Sequence, residues 1–268
     1  MSTSEKAYPL WAFFSLVTNV LLMLGVILLI WQQQRLNAVF GTIVYSTPES
    51  EDQAIAPKSS TRHQLNYQQW LDILQQEAEV AAKKRPQHLT ILAGDSISLW
   101  FPPQLLPENR SWLNQGISGE TSDGLLRRLN LFDRTQPESI LVMIGINDLI
   151  RGVSDEVILD HQQQIISYLQ KAHPKVPVVV QSILPHGAEA ATWEGREKLL
   201  AIPNSRIRQL NQKLQAIATK KGAQYLDLYP LFANQQGNLH FEFTTDGLHL
   251  NSQGYIVWRT ALQMQKKL

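Results

Sequence analysis

The 268-residue sequence contains no cysteine. That excludes disulfides, thiolate metal sites and a cysteine nucleophile, while leaving the cellular compartment open. An excess of one charge is lacking too. Lys and Arg number 24 against 23 Asp and Glu, a net charge of +1, so no basic field argues for a nucleic-acid partner. Phosphate-loop and dinucleotide fingerprints are missing, which argues against a nucleotide enzyme. No His-x-His or His-Glu-x-x-His pattern occurs, so metal and cofactor are both expected to be none. No internal repeat or low-complexity block interrupts the carboxyl-terminal two hundred or so residues, which are enough for one well-buried domain.

Charge is absent most conspicuously from residues 10–31, an unbroken stretch from Leu10 to Trp31. As a helix rising about 1.5 Å per residue it matches a hydrocarbon core of about 30 Å. Trp11 and Trp31 stand at its ends, where interfacial aromatics are favoured. The run is longer than the signal-peptide core of about 7–15 residues and no Ala-x-Ala site follows it. The expectation is one transmembrane anchor over 10–31 after a short tail, 1–9. Lys6 precedes the span and Arg35 follows it, so the basic count is nearly tied. A short tail before a single span favours a cytoplasmic amino terminus, with the globular domain on the extracytoplasmic side of the membrane. Residues 32–62 are rich in Gln, Ser, Thr, Pro and acids, with Pro48, Pro57 and Glu49-Ser50-Glu51-Asp52, and read as a flexible linker. Residues 63–268 form the globular domain.

Within that domain, Leu65–Lys84 shows helical spacing through Leu65, Trp70, Ile73, Leu74, Ala78 and Ala81, and Pro86 stops it. Strands are expected at Leu89–Ala93, Trp112–Gln115, Ser139–Ile144, Val176–Ser182 and Gln224–Leu228. Helices are expected at Ser122–Leu131, Asp155–Ala172, Pro203–Lys221 and Ser252–Gln265. Strands alternating with helices predict right-handed crossovers and a largely parallel sheet covered on both faces.

The polar residues of interest fall where the strands end. The apolar run Thr90-Ile-Leu-Ala-Gly94 stops at Asp95-Ser96, before a short amphipathic segment. That order is strand, tight turn and first helical turn, which puts Ser96 at the edge where open α/β sheets place ligands. Taken alone, Ser96 reads as a helix cap. After the second strand, Asn114-Gln-Gly116-Ile-Ser-Gly119-Glu120-Thr121 suits a glycine turn that exposes backbone N–H groups, and Thr121 or Ser122 can cap the next helix. After the third, Gly145-Ile-Asn147-Asp148 can aim a neutral amide donor into a cleft, or form a plain Asn-Asp turn. Near the carboxyl end, Asp246-Gly-Leu-His249 puts a carboxylate within reach of the imidazole Nδ1, which would free Nε2 to take a proton from a serine.

Four blocks in this order resemble the SGNH-hydrolase (GDSL esterase/lipase) superfamily over roughly Leu89–Leu262. The resemblance implies a three-layer α/β/α fold with a mainly parallel five-stranded sheet, flavodoxin-like. It implies Ser96 as nucleophile, His249 as general base and then acid, and Asp246 as its orienting carboxylate. The N–H groups of Ser96 and Gly116 and the side chain of Asn147 would form the oxyanion hole, and Asp95 would be structural. The activity implied is hydrolysis of carboxylic esters, with a small-molecule or lipid ester, or an acetylated cell-envelope ester, as substrate. Leu99–Leu106 reads as ordinary packing over the sheet edge or, less favoured, as an apolar lip for an acyl chain. The long loop Leu184–Pro203, with His186, Trp193 and Arg196, can line a leaving-group site. Two other readings stand beside this one. One is a catalytically silent, membrane-tethered binding module on the same fold. The other is a metal-dependent phosphoesterase using Asp95, Asp148, Asp246 and His249. Oligomeric state is not encoded.

Overall fold

The computed structural model describes residues 65–265. The expected tail 1–9, anchor 10–31 and linker 32–62 lie outside the described residues. Among the described residues no helix is long and apolar enough to cross a membrane.

The five apolar runs become five parallel strands: β1 Leu89–Gly94, β2 Ser111–Gly116, β3 Ser139–Met143, β4 Val178–Gln181 and β5 Gln224–Leu226. Their order across the sheet is β2-β1-β3-β4-β5. The chain moves to one side of β1 for β2 and to the other for β3, so the crevice at the carboxyl ends of β1 and β3 is the topological switch point, where open sheets bind ligands. Gly94 is level with Gly116 on one side and Met143 on the other, so three loops leave the sheet side by side.

The helices are α1 Tyr67–Lys84, α2 Ser96–Leu99, α3 Ser122–Arg127, α4 Ile146–Ile150, α5 Asp155–Ala172, α6 Arg196–Leu200, α7 Asn204–Lys220, α8 Tyr229–Phe232 and α9 Ser252–Met264. They cover both faces of the sheet. Ile91, Ala93, Ile140 and Val142 pack with Ala78 of α1, Leu125 of α3 and Ile165 of α5. Their neighbours Leu92, Leu141, Met143 and Val179 point the other way, onto Leu210 of α7 and Trp258 of α9. Burial on both faces is why β1 and β3 read as continuous apolar runs rather than alternating ones. This is the three-layer α/β/α architecture expected from the sequence.

Local chemistry sets the ends of α1. Asn66 and Gln69 exchange side-chain-to-backbone hydrogen bonds at 2.9 and 3.0 Å, a capping box, and Arg85 closes the helix in the left-handed region. One expected helix is shorter than its pattern: Ser122–Leu131 stops at Arg127, and a 3₁₀ turn runs from Leu129 to Phe132. The tighter turn brings residues three apart onto one face, so Leu129 and Phe132 are both buried while Arg128 turns inward.

Candidate active site

The site begins at the end of β1. Gly94 is glycine because a Cβ there would lie 2.3 Å from the carbonyl oxygen of Met143 and 2.4 Å from Ser98 Oγ. Asp95 caps α2, its carboxylate accepting the Ile97 N–H at 3.0 Å. Burial, reinforced by the charges of Asp148 and Glu120, pushes the Asp95 carboxyl up to about 7 despite that hydrogen bond. Ser96 is the first residue of α2, and its N–H, one of the free donors of a helix start, has no protein acceptor among the described residues.

The last loop before α9 meets Ser96 from 153 positions away. His249 Nε2 lies 3.2 Å from Ser96 Oγ, and His249 Nδ1 lies 2.7 Å from Asp246 Oδ2. The other Asp246 oxygen accepts the N–H groups of Leu248 and His249 at 2.9 and 2.8 Å. Burial alone would raise the Asp246 pKa. The hydrogen bonds from the imidazole and the two amides outweigh it and hold the carboxyl below its ordinary value. Asp246 is therefore ionised at neutral pH, and its Oδ2 requires the proton of His249 on Nδ1, leaving Nε2 as acceptor towards Ser96. Trp100 packs on the imidazole with ring centroids 4.3 Å apart.

The long loop from Leu184 to Pro203, expected to line a leaving-group site, packs against the Asp246–His249 turn. Thr192 and Trp193 donate their N–H groups to the Asp246 carbonyl at 2.8 and 2.9 Å, and Gly187 donates to that of Gly247. His186 is buried, donating from Nε2 to the Ile202 carbonyl and accepting the Ala188 N–H at Nδ1. Burial lowers its pKa, so this histidine is a neutral structural bridge. The loop is a buttress for the Asp246–His249 turn.

The second and third loops supply neutral donors, with one correction. Gly116 is buried at the end of β2, and its N–H is spent on Asn114 Oδ1 at 2.9 Å. Its lack of a Cβ serves packing, since a Cβ would lie 2.5 Å from the Leu99 nitrogen. Gly116 therefore has no N–H to offer an oxyanion. Three residues on, Gly119 sits at φ +74°, a conformation that favours glycine, and its N–H has no protein acceptor among the described residues. The Gly119 carbonyl is held by Arg151 Nη2 at 2.7 Å. A signal was present in the sequence: an asparagine two residues before a glycine is the pattern in which the side chain accepts the later N–H. Asn147 lies in the first turn of α4, and one hydrogen of its amide goes to the Glu120 carbonyl at 3.0 Å, which leaves the other available.

Two further groups tie these loops together. Asp148 accepts both the N–H of Ser122, at 2.9 Å, and its hydroxyl, at 2.5 Å, so the carboxylate beside Asn147 pins the start of α3. His161 Nδ1 approaches the same hydroxyl at 2.9 Å. Arg128 is buried and donates to Glu120 Oε2 at 2.7 Å and to the Gly94 carbonyl at 3.2 Å, bridging the second loop to the turn that carries Ser96. None of these links was readable from sequence, because each joins side chains brought together by the sheet. The four residues of the metal reading are not gathered: Asp148 is held by Ser122, Asp95 caps α2, and among the described residues no three His, Asp or Glu converge as a metal site.

Residues 90–257 match the GDSL-like Lipase/Acylhydrolase family. The chain is 29% identical over 154 residues to an N-acylneuraminate cytidylyltransferase of Streptococcus agalactiae, covering 58% of this chain and 34% of that protein. It is 31% identical over 120 residues to an arylesterase of Vibrio mimicus, covering 39% of this chain and 59% of that protein. The chain thus spans 34% and 59% of the lengths of these curated relatives. A solved structure described as a platelet activating factor from Streptococcus pneumonia superposes with a TM-score of 0.62 at 25% identity, over 77% of this chain and 98% of that one.

Proposed function

Because the chain belongs to the GDSL-like lipase/acylhydrolase family, we propose that it is a serine esterase working through Ser96, His249 and Asp246. The single observation that carries this reading is the relay from Ser96 Oγ to His249 Nε2 at 3.2 Å and from Nδ1 to Asp246 at 2.7 Å, set at the switch point of the sheet.

The steps follow from acyl-transfer chemistry. Ser96 Oγ attacks the ester carbonyl carbon while His249 Nε2 takes the hydroxyl proton. Negative charge gathers on the carbonyl oxygen, and three donors face it: the N–H of Ser96, the N–H of Gly119 in place of Gly116, and the free amide hydrogen of Asn147. Neutral donors held in place before reaction stabilise the charged intermediate without reorganising. Collapse expels the alcohol, which takes the proton from His249 and leaves an acyl-serine. Water then attacks with His249 as base, the carboxylic acid leaves, and Ser96 regains its proton. Asp246 keeps its negative charge throughout and stabilises the imidazolium.

The place of action is part of the proposal. Residues 10–31 anchor the protein as a single-pass membrane protein, 32–62 tether the domain, and the domain lies on the extracytoplasmic side. The uncharged run of residues 10–31 with Trp11 and Trp31 at its ends supports this. An anchored esterase meets lipids and acylated or acetylated envelope components, which are the substrate classes proposed. Protection of residues 63–268 from protease added outside intact cells would contradict the orientation.

The test of the chemistry is turnover of aryl esters by the full chain beside Ser96→Ala, with a serine-reactive phosphonate as a second probe. The similarity to an arylesterase recommends p-nitrophenyl esters as first substrates. Turnover and labelling that both vanish in Ser96→Ala are expected. A folded wild-type protein with neither turnover nor labelling would move the assignment to a silent binding module.

A further inference from the structure

Helix α1 precedes residue 90 and so lies outside the stretch matched to the family. It nevertheless walls a cleft of about 420 Å³, within the usual range of ligand pockets. Leu65, Tyr67 and Trp70 line it together with Leu99, Trp100, Ile117 and Ser118. No charged side chain lines it. Trp70 is buried with Leu74 and Ile117, whereas Tyr67 is 47% exposed at the rim.

Three connections join this cleft to the reacting atoms. Leu99 and Trp100 close the short helix that starts at Ser96. Trp100 packs against His249. Ser118 adjoins Gly119, whose N–H faces the developing oxyanion in the reading above. The Tyr67 hydroxyl also reaches Glu120 Oε2 at 3.4 Å, linking α1 to the same turn. On the far side of Ser118 the surface changes character, since Asp123, Arg127, Arg128 and Arg151 line the neighbouring cleft. The first cleft offers an ionic group no charged partner, while its aliphatic and aromatic side chains can cover an alkyl chain.

We propose that this cleft binds the apolar chain of the ester substrate, and that Leu65 and Tyr67 of the added amino-terminal segment determine which chain lengths are accepted. The proposal rests on the esterase reading. Each methylene buried along the cleft raises kcat/KM by about fourfold, until the cleft is filled. The chain can belong to the acid or to the alcohol of the ester, because the cleft borders both the imidazole and the oxyanion turn.

The experiment uses the full-length protein with two substrate series: p-nitrophenyl esters from acetate to octanoate, and alkyl acetates from ethyl to octyl. Wild type is compared with Leu65→Trp, which fills the cleft, and Tyr67→Ala, which opens its rim. Thermal unfolding of each variant confirms that it is folded. The readout is the ratio of kcat/KM for the longest to the shortest member of each series, which cancels any general loss of activity. The expected result is a wild-type ratio well above one in one series, reduced at least tenfold by Leu65→Trp and lowered by Tyr67→Ala. The series that responds identifies the acyl or the alcohol chain as occupant. Hydrolysis with ratios near one, or with ratios indifferent to both substitutions, overturns the cleft assignment alone. No hydrolysis of any ester overturns the esterase reading and this assignment with it.

Discussion

Replacing Asp246 by Asn separates the electrostatic task of this side chain from its structural one. One carboxylate oxygen accepts the Leu248 and His249 N–H groups, and the amide oxygen of Asn can keep both bonds. The other oxygen faces His249 Nδ1 at 2.7 Å, and the amide puts an N–H₂ there instead. A donor opposite Nδ1 favours the tautomer with the proton on Nε2, which can no longer accept the Ser96 proton, and it removes the charge that stabilises the imidazolium. In the serine-protease triad the same exchange costs about 10⁴ in kcat, so a loss of about 10³–10⁴, or roughly 4–5.5 kcal/mol, is expected here. The loop should remain folded, with stability lowered by about 1–2 kcal/mol for exchanging charge-assisted hydrogen bonds for neutral ones. The pH dependence has a definite sign. The folded-state carboxyl is held below its ordinary value, so its contribution is present above the unfolded pKa and is lost as pH falls through the folded one. Wild type and variant should therefore converge in stability at acid pH. Steady-state kinetics on p-nitrophenyl acetate and urea unfolding at several pH values are the assays. A kcat within tenfold of wild type would refute the assigned role of the carboxylate.

Asn147→Ala should lower kcat by about 10²–10³ with little change in KM, as expected for a donor used mainly in the transition state; less than fivefold would remove Asn147 from the oxyanion hole. Asp95→Asn should stabilise the protein more at pH 8 than at pH 5. Its folded pKa is raised to about 7, so wild type loses this contribution as pH rises towards 7, and the difference is about 2–3 kcal/mol; chemical denaturation showing a pH-independent effect would contradict the buried protonated carboxyl. Asp148→Asn and Ser122→Ala should each destabilise by about 1–3 kcal/mol, and the pair should be less than additive because both act on the hydroxyl–carboxylate hydrogen bond. Full additivity in a double-mutant cycle would deny the link between the second and third loops.

The parts of the site legible in the sequence are those made by neighbours along the chain. Gly94-Asp95-Ser96 is a strand end, a cap and a helix start within three residues. Asp246 and His249 are three apart with a glycine between, and their contact is local. The five strands and the longer helices were visible because burial on both faces, or on one helical face, imposes a period on the residues themselves. Gly116 and Gly119 show where this stops. Gly116 ends β2 and Gly119 lies in the turn that follows, and in the sequence they were separable only by asking which N–H the Asn114 side chain consumes. Arg128, Arg151 and His161 carried no sequence signal, and Ser122 only that of a helix cap, since each gains its meaning from a partner on another element.

By itself the sequence determined the three-layer α/β class, the absence of thiol chemistry, the uncharged run near the amino terminus, and a set of residue types sufficient for serine acyl transfer. Periodicity and short-range turn chemistry need only nearest neighbours, so they are written along the chain. The tertiary structure alone decided that His249 reaches Ser96 across 153 positions. It also decided that Gly119 rather than Gly116 keeps a free N–H, that the long loop supports Asp246, and that helix α1 walls a cleft shared with Trp100 and Ser118. These follow from the strand order β2-β1-β3 and the level ends of those strands. Which donors remain unspent is settled only when every partner is in place, and that is a property of the packed whole.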